Sequence, residues 1–309
     1  VRQPVCCSRQ LRKVEKEFCD RIALESQGFR PGIISMEKNL KTYLPKTETL
    51  IIERCGSVLT IWFNRPDARN ALNSQMTNEL VKVLDYARDE LTLRTVIIRG
   101  AGGVFCSGGD IKDFKKVMQA SDIKSVSNDN RSFGEVLRKL NEQPQVVIIL
   151  VEGAAIGGGM GLACVGDITL VTRSARFRLS ETSLGIPPAQ IAPFVAQRIG
   201  FMQARRLMLT GAKFDGEKAF QIGLANDVFD DVNKMDEKCN EILDDINKCA
   251  PNANAATKRI LFESLRNPMD KALDSASVEF AKCMLSDEGK EGVSAFIEKR
   301  AASWVETHD

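Results

Sequence analysis

The sequence predicts an α/β fold whose carboxy-terminal part is a layer of helices. Two short apolar runs rich in β-branched residues, TVIIRG (95–100) and VVIILV (146–151), are typical of strands buried on both faces. Helical patterns lie between the strand-like runs, and this alternation is characteristic of α/β proteins. From Pro193 onward the pattern is mostly helical, which predicts the final layer.

The other elements follow in chain order. TLIIER and VLTIWFN are strand-like runs joined at Cys55-Gly56-Ser57, and they predict a hairpin. Apolar residues at helical spacing predict a helix over Ser74–Glu90, with Ser74 as its cap. The polar segment 115–143 is expected to be helical, and DITLVT and ARFRLS predict two further short strands.

Composition and charge narrow the class of protein. Hydrophobic residues make up 43% and charged residues 27%, as in ordinary globular proteins. The 43 basic and 41 acidic residues give a net charge of +2, which indicates neither a nucleic-acid nor a membrane partner. No apolar run approaches the roughly 18–20 residues that span a bilayer. The nine cysteines contain no C-x-x-C pair, so we expect reduced thiols and a cytoplasmic protein.

The chain contains a single histidine, His308, next to its last residue. A Ser-His-Asp or Cys-His mechanism would have to use His308, and a histidine-rich metal site is excluded. Acid–base chemistry must therefore use carboxylates, Lys, Tyr, Cys or backbone groups.

The first 35 residues differ from the rest of the chain. They hold seven basic and four acidic residues and three cysteines, without clear periodicity. We expect residues 1–35 to be a leader or an upstream extension, disordered or loosely helical, before a natural start at Met36. Residues 36–240 are expected to form the core and residues 241–309 the helical carboxy-terminal region.

Two strand-like runs end in glycine clusters, VIIRGAGGVFCSGGD and VVIILVEGAAIGGG. Backbone N–H groups past a strand and at a helix start can donate to an anionic oxygen, and glycine lets a ligand approach them. Two such donors would form an oxyanion hole, although two tight turns in a crowded fold explain the glycines equally well. Glu181 lies before a Gly-Ile-Pro-Pro turn; it is either a general acid or base in apolar surroundings or a solvated loop residue.

Five motifs together resemble the crotonase superfamily, the enoyl-CoA hydratase/isomerase group. The resemblance runs from about Thr49 to Arg300 in the order and spacing of the family. The motifs are NRPDARNALN (64–73), FCSGGDIKDF (105–114), GGGMGLACVGDI (157–168), FRLSETSLGIPP (177–188) and LMLTGAKFDGEKAFQIGLANDV (207–228). The resemblance implies a spiral of ββα units, a helical trimerisation region, and homotrimers or dimers of trimers. It also implies an acyl-CoA substrate and no separate cofactor, since CoA is part of the substrate.

The resemblance also implies roles for individual residues. The N–H groups of Gly109 and Gly158 would hold the thioester oxygen and stabilise an enolate. The adenine end of CoA would lie along the NRPDARNAL segment, and Arg69 would pair with a CoA phosphate. The other residues implied in substrate binding are Ala68, Ala71, Ser107, Asp110, Ile111, Gly161, Pro188, Gln190 and, through the FIEKR segment (296–300), Lys299.

Hydratases of this family hold the attacking water between two glutamates, and this chain departs from that pattern. Glu181 matches the second glutamate, but Gly161 stands at the position of the first. LGIPPAQIAPFVAQRIG resembles bacterial hydratases of methylglutaconyl and isohexenylglutaconyl thioesters, in which glycine at that position is tolerated. The substrate's own carboxylate or Gln190 would then hold the water, and Gly161 would leave room for a branched chain.

These features favour an enoyl-CoA hydratase acting on a branched or carboxylated acyl group. The alternative is a Δ3,Δ2-enoyl-CoA isomerase that uses Glu181 alone. An acyl-CoA hydrolase is less favoured, because Ala189 stands where those enzymes carry an aspartate. A CoA-binding or RNA-binding relative without turnover is a further alternative, and the near-neutral charge gives RNA binding no support.

Overall fold

The structure is a computed structural model, and it describes residues 44–118 and 122–305. The leader predicted at 1–35 and the single histidine, His308, lie outside the described residues. Backbone contacts group the chain from Lys46 onward into one compact unit. The boundary predicted between residues 240 and 241 stays a prediction.

The described strands are β1 Leu50–Cys55, β2 Val58–Phe63, β3 Thr95–Gly100, β4 Val146–Val151, β5 Ala154–Ile156, β6 Ile168–Thr172, β7 Arg176–Arg178, β8 Lys213–Asp215 and β9 Asp227–Phe229. The described helices are α1 Ser74–Asp89, α2 Ile111–Met118, α3 Ile123–Asn141, α4 Gly158–Cys164, α5 Ala192–Ile199, α6 Phe201–Thr210, α7 Gly216–Gln221, α8 Val232–Lys248, α9 Pro251–Arg266, α10 Met269–Leu285 and α11 Asp287–Glu298. This is the predicted α/β fold with a helical carboxy-terminal region.

The strands form two sheets. The larger sheet has the order β1-β2-β3-β4-β6-β9, in which only the β1–β2 pair is antiparallel. The smaller sheet has the order β5-β7-β8. Strands β4 and β6 lie in the larger sheet, and each is followed directly by a strand of the smaller sheet. This alternation gives successive β-β-helix turns, consistent with the spiral that the sequence predicted.

The core of the larger sheet consists of the predicted apolar strands. All six residues of β3 are buried, as are five of the six residues of β4. Helix α1 packs its predicted stripe inward and buries Met76, Leu80 and Val83 among others. Its cap differs from the prediction, because the side chain of Asn73, not Ser74, accepts the hydrogen bond from the Met76 N–H at 2.9 Å.

Three strands were not predicted. Strand β5 lies within the glycine-rich segment, and β8 and β9 lie in the part of the chain expected to be mostly helical. Each has three residues, too short for a two-residue alternation to show in the sequence. Tertiary pairing with β7 and β6 defines them instead.

Candidate active site

The two glycine clusters lie against each other. Cys106 forms a parallel bridge with Ala155 and accepts a hydrogen bond from the Ile156 N–H at 3.0 Å. A Cβ atom added to Gly108, whose φ is +93°, would lie 2.9 Å from the Ile156 oxygen and 3.8 Å from the Gly158 nitrogen. Only residues without a side chain permit this approach, so close contact between the two turns requires glycine.

Two backbone donors in these turns have no acceptor among the described residues. Gly158 is the first residue of α4, where an N–H has no partner within the helix. Gly109 is bridged to Leu72 through its neighbours Gly108 and Asp110, and its own N–H is unpaired. Gly109 and Gly158 are partly exposed, although the glycines adjoining them are buried. The site therefore holds two unpaired donors, close together and open to a ligand.

Glu181 reaches the same place from the turn that follows β7. A Cβ atom added to Gly157 would lie 2.8 Å from Oε1 of Glu181. The Gly157 N–H also donates to the Arg178 oxygen at 2.8 Å, which holds the end of β7 against the start of α4. The carboxyl group of Glu181 is thus fixed one residue before the unpaired N–H of Gly158.

The carboxyl group of Glu181 is half-buried and chemically unusual. Its Oε2 is buried and has no hydrogen-bond partner among the described residues. Burial raises the pKa of Glu181 above the ordinary value, and the nearby backbone N–H groups of Glu181 and Ser180 offset only part of that rise. A solvated loop glutamate would have neither property. A carboxyl group whose pKa is raised in this way holds a proton more readily than a solvated glutamate, which suits a general acid or base.

Gly161 does not leave room for a branched acyl chain, and that expectation is wrong. A Cβ atom added to Gly161 would lie 2.4 Å from Cγ2 and 2.9 Å from Cβ of Ile191. Ile191 is 3% exposed and immediately precedes α5. The space beside Gly161 is therefore filled by the protein. The sequence offered no signal for this contact, because the two residues belong to different elements.

The side chain of Gln190 is hydrogen-bonded to helix α3. Its Nε2 donates to Oδ1 of Asn130 at 3.0 Å, and its Oε1 lies 2.0 Å from the point where a Gly134 Cβ would be. Pro188 is half-buried and its oxygen accepts the Ala192 N–H at 3.0 Å, at the start of α5. The role of Gln190 in holding water stays a prediction.

Apolar residues that the sequence analysis did not single out flank the donor of Gly158. A Cβ atom added to Gly158 would lie 3.1 Å from Cδ1 of Leu72 and 3.2 Å from Cζ of Phe133. Phe133 and Leu137 are four residues apart on α3, so they lie on one face of the helix. This spacing is the feature of the sequence that could have identified them.

The segment predicted to hold CoA is folded onto the first glycine cluster. The Ser107 N–H donates to the Arg69 oxygen at 3.1 Å, and the Ser107 hydroxyl lies 3.4 Å from the Ala68 oxygen. Arg69 and Asn70 have φ values of 52° and 54°, a conformation that turns the chain sharply. Ala71 closes the turn by donating to Ala68 at 3.1 Å. The structure therefore brings Ala68, Arg69, Ala71 and Ser107 together.

Asp110 holds this segment through Arg65, a residue that the sequence analysis did not name. Nη2 of Arg65 lies 2.8 Å from Oδ2 of Asp110, and Nη1 donates to the Ala71 oxygen. Burial alone would raise the pKa of Asp110, but the bonds from Arg65 and from the Lys112 N–H outweigh it and lower the pKa. Ile111, at the start of α2, is 71% exposed.

Lys299 is exposed and ends α11 with a φ of 54°. No contact recorded among residues 44–118 and 122–305 joins it to the glycine turns, so its approach to CoA stays a prediction. Within the same residues, no group of His, Cys, Asp and Glu could hold a metal ion. Nor does any described helix combine the length and apolar character needed to cross a membrane.

The sequence and the fold are both similar to those of known proteins. Residues 53–307 match the family described as enoyl-CoA hydratase/isomerase. The short-chain-enoyl-CoA hydratase of Clostridium acetobutylicum is 32% identical over 81% of this chain and 95% of that protein. The 2,3-dehydroadipyl-CoA hydratase of Escherichia coli is 30% identical over 81% and 96%. The solved structure of Pseudomonas aeruginosa AtuE superposes with a TM-score of 0.82 at 46% identity, covering 84% of this chain and all of that chain (100%).

Proposed function

The chain belongs to the enoyl-CoA hydratase/isomerase family, and we propose that it is a lyase that adds water across the 2,3-double bond of an enoyl-CoA. The observation that carries this proposal is the half-buried Glu181 carboxyl group beside two backbone N–H groups that have no acceptor among the described residues. A general base next to a pair of oxyanion donors is the arrangement that hydration of an unsaturated thioester requires.

In the proposed mechanism, the N–H groups of Gly109 and Gly158 donate to the thioester oxygen and draw electron density from the double bond. The Glu181 carboxylate takes a proton from water while the water oxygen bonds to the β-carbon. The electron pair of the double bond moves to the thioester oxygen as an enolate. Glu181 then returns the proton to the α-carbon. Loss of one such oxyanion donor costs about 3 kcal/mol in other enzymes.

We propose that CoA lies along the segment 68–71 and the adjoining 107–111. Arg69 is exposed and has no side-chain partner among the described residues, so its guanidinium is available to a phosphate. Asp110 acts through Arg65 to hold this segment in place. Lys299 is a second candidate for phosphate. No separate cofactor is needed, because CoA is part of the substrate.

We propose a branched or carboxylated acyl group. The name of the Escherichia coli relative specifies a carboxylated acyl group, dehydroadipyl-CoA. Asn130 and Gln190 provide polar groups on α3 and on the segment that follows Glu181. Gly161 no longer supports a branch, since Ile191 fills that space.

An isomerase is the second candidate, and one observation favours it. Gly161 carries no carboxyl group and Ile191 fills the space beside it, so the site fits a mechanism in which Glu181 is the single acid–base group. One carboxylate is sufficient to move a proton from the α-carbon to the γ-carbon of a 3-enoyl thioester while the double bond shifts.

We also propose a homotrimer or a dimer of trimers in the cytoplasm. Large apolar side chains are exposed on the carboxy-terminal helices, among them Leu265, Leu273, Phe280, Leu285 and Phe296. A contact between subunits would cover such residues. Among the described residues, Cys106, Cys164, Cys239, Cys249 and Cys283 form no disulfide, which suits a reducing compartment.

The test is a side-by-side assay of the purified protein with crotonyl-CoA, a 3-enoyl-CoA and a glutaconyl-type thioester, with products identified by mass spectrometry. A product heavier by one water supports hydration, and a shifted double bond without added water identifies an isomerase. Glu181→Gln should slow the formation of either product by about 10²–10⁴-fold. CoA binding without any product would identify a non-catalytic relative and refute the proposal.

A further inference from the structure

Two glycines at the start of helix α4 are each approached by a side chain from another part of the chain. Gly157 immediately precedes the helix, and its oxygen accepts a hydrogen bond from the Gly161 N–H at 3.0 Å, four residues later. The Glu181 carboxyl group fills the space at Gly157, with Oε1 2.8 Å from the position of a Cβ. Ile191 fills the space at Gly161 in the same way, with Cγ2 at 2.4 Å. The acid–base group and the aliphatic side chain therefore approach the first part of α4 at positions four residues apart.

Helix α3 completes this wall with apolar side chains. Phe133 lies 3.2 Å from the Cβ position of Gly158, the residue with the unpaired N–H. Leu137, one turn further along α3, lies 3.8 Å from the Cβ position of Gly161, beside Ile191. Leu137 is fully buried and Ile191 nearly so. In the proposed complex, the thioester is held at Gly158 and the double bond lies at Glu181. The acyl chain beyond the double bond then faces the apolar side chains of α3 and Ile191.

On this basis, and resting on the proposed function, we propose that Ile191 is a specificity-determining residue that limits the acyl group beyond the double bond. Ile191 precedes α5 and belongs to neither glycine cluster, so it supplies neither of the two oxyanion donors. Ile191→Ala removes three carbon atoms from the wall next to Gly161. The space so created would accept a longer or more branched apolar chain.

The experiment compares the wild type with Ile191→Ala and with the matched control Val195→Ala. Val195 is buried, lies four residues later in α5, and supplies none of the three atoms nearest to the Cβ position of Gly161. The ratio of kcat/KM for trans-2-octenoyl-CoA to that for crotonyl-CoA is measured for each protein. Each methylene in an apolar pocket changes selectivity by about 10-fold or more, so Ile191→Ala should raise this ratio at least tenfold. Val195→Ala should leave the ratio within about twofold, because no atom of Val195 is as near to the Cβ position of Gly161 as those of Ile191 and Leu137.

A second measurement needs no turnover. Calorimetry with saturated butyryl-CoA and octanoyl-CoA should show octanoyl-CoA gaining affinity over butyryl-CoA in Ile191→Ala but not in Val195→Ala. Where Ile191→Ala fails to fold, Ile191→Val should give a smaller shift in the same direction. Unchanged ratios in the Ile191 variants, or equal shifts in the Val195 control, would overturn the inference. A protein that turns over no enoyl-CoA but shows the shift in binding would refute the proposed function and leave the role of Ile191 standing.

Discussion

Replacing Glu181 with Gln should make the protein inactive and more stable at the same time. Oε2 of Glu181 is buried without a hydrogen-bond partner among the described residues. A buried group left unpaired costs about 1–3 kcal/mol, and more when it is charged. Glutamine has the same shape but no charge, so we expect Glu181→Gln to raise the free energy of unfolding by about 1 kcal/mol at neutral pH. For a domain of this size that corresponds to a melting temperature higher by about 2–4 °C.

The sign of the pH dependence follows from the direction of the pKa shift. Burial raises the pKa of Glu181 in the folded protein above the ordinary value of 4.5. A group of this kind contributes stability below its unfolded pKa, and that contribution is lost as pH rises through the folded pKa. The advantage of Glu181→Gln should therefore be present at about pH 8 and small at about pH 4, where the wild-type carboxyl group is protonated. Activity should fall by about 10²–10⁴-fold, the usual contribution of a general base.

Glu79 is the matched control, because it is a buried glutamate whose two carboxylate oxygens both accept hydrogen bonds. Thr49 donates to its Oε2 from the backbone N–H at 2.9 Å and from the hydroxyl at 2.6 Å, and Gln75 donates to its Oε1 at 3.0 Å. Burial opposes ionisation, but these bonds and those from Glu48 lower the pKa of Glu79. The stability that the ionised Glu79 contributes to the folded protein is therefore present above its unfolded pKa and is lost as pH falls through its folded pKa.

Glu79→Gln should lower the melting temperature at about pH 8, with a smaller loss at about pH 4. Calorimetric melts of the wild type and the two variants at both pH values measure the comparison directly. A drop at high pH in Glu181→Gln, like that in Glu79→Gln, would show that Glu181 has a stabilising partner and would refute the reasoning.

Three further predictions concern the surroundings of the site. Gly108→Ala should lower stability by about 1–3 kcal/mol in thermal melts and reduce activity, since φ is +93° and a Cβ would lie 2.9 Å from a backbone oxygen. Asp110→Asn should weaken CoA binding in calorimetry by freeing Arg65, with kcat changed less than KM; an unchanged affinity would contradict this role. Gly161→Glu should lower the melting temperature sharply because of the contact with Ile191. Adding Ile191→Gly should restore much of that loss, and a double variant no more stable than Gly161→Glu would contradict the contact.

The sequence was sufficient for the parts of the fold that local patterns determine. Strands β3 and β4 are apolar runs buried on both faces, and helix α1 has a clear apolar stripe, so each was predictable by itself. Strand β9 was not predictable, because three residues show no period and pairing with β6 defines them. The cap of α1 was misassigned by one residue, since Asn73 and Ser74 are both good capping residues.

The site shows the same division. The residues alone left the glycine clusters and Glu181 open to a structural explanation, and the order and spacing of the five motifs singled them out. Arg65 did not stand out, because its partner Asp110 lies 45 residues away and only the folded chain brings the two together. Ile191 was missed for the same reason, since an isoleucine before a helix looks like any other core residue.

The contact between Gly161 and Ile191 alters how the absence of the family's first glutamate is understood. Taken alone, glycine at 161 indicates a position where a carboxylate was lost and space was gained. The structure contains no such space, because Ile191 occupies it to within 2.4 Å of the Cβ position. A glutamate could not be accommodated there unless residue 191 also changed. The carboxylate content of the site is therefore determined by two residues together, and a comparison of hydration with isomerisation must vary both of them to be informative.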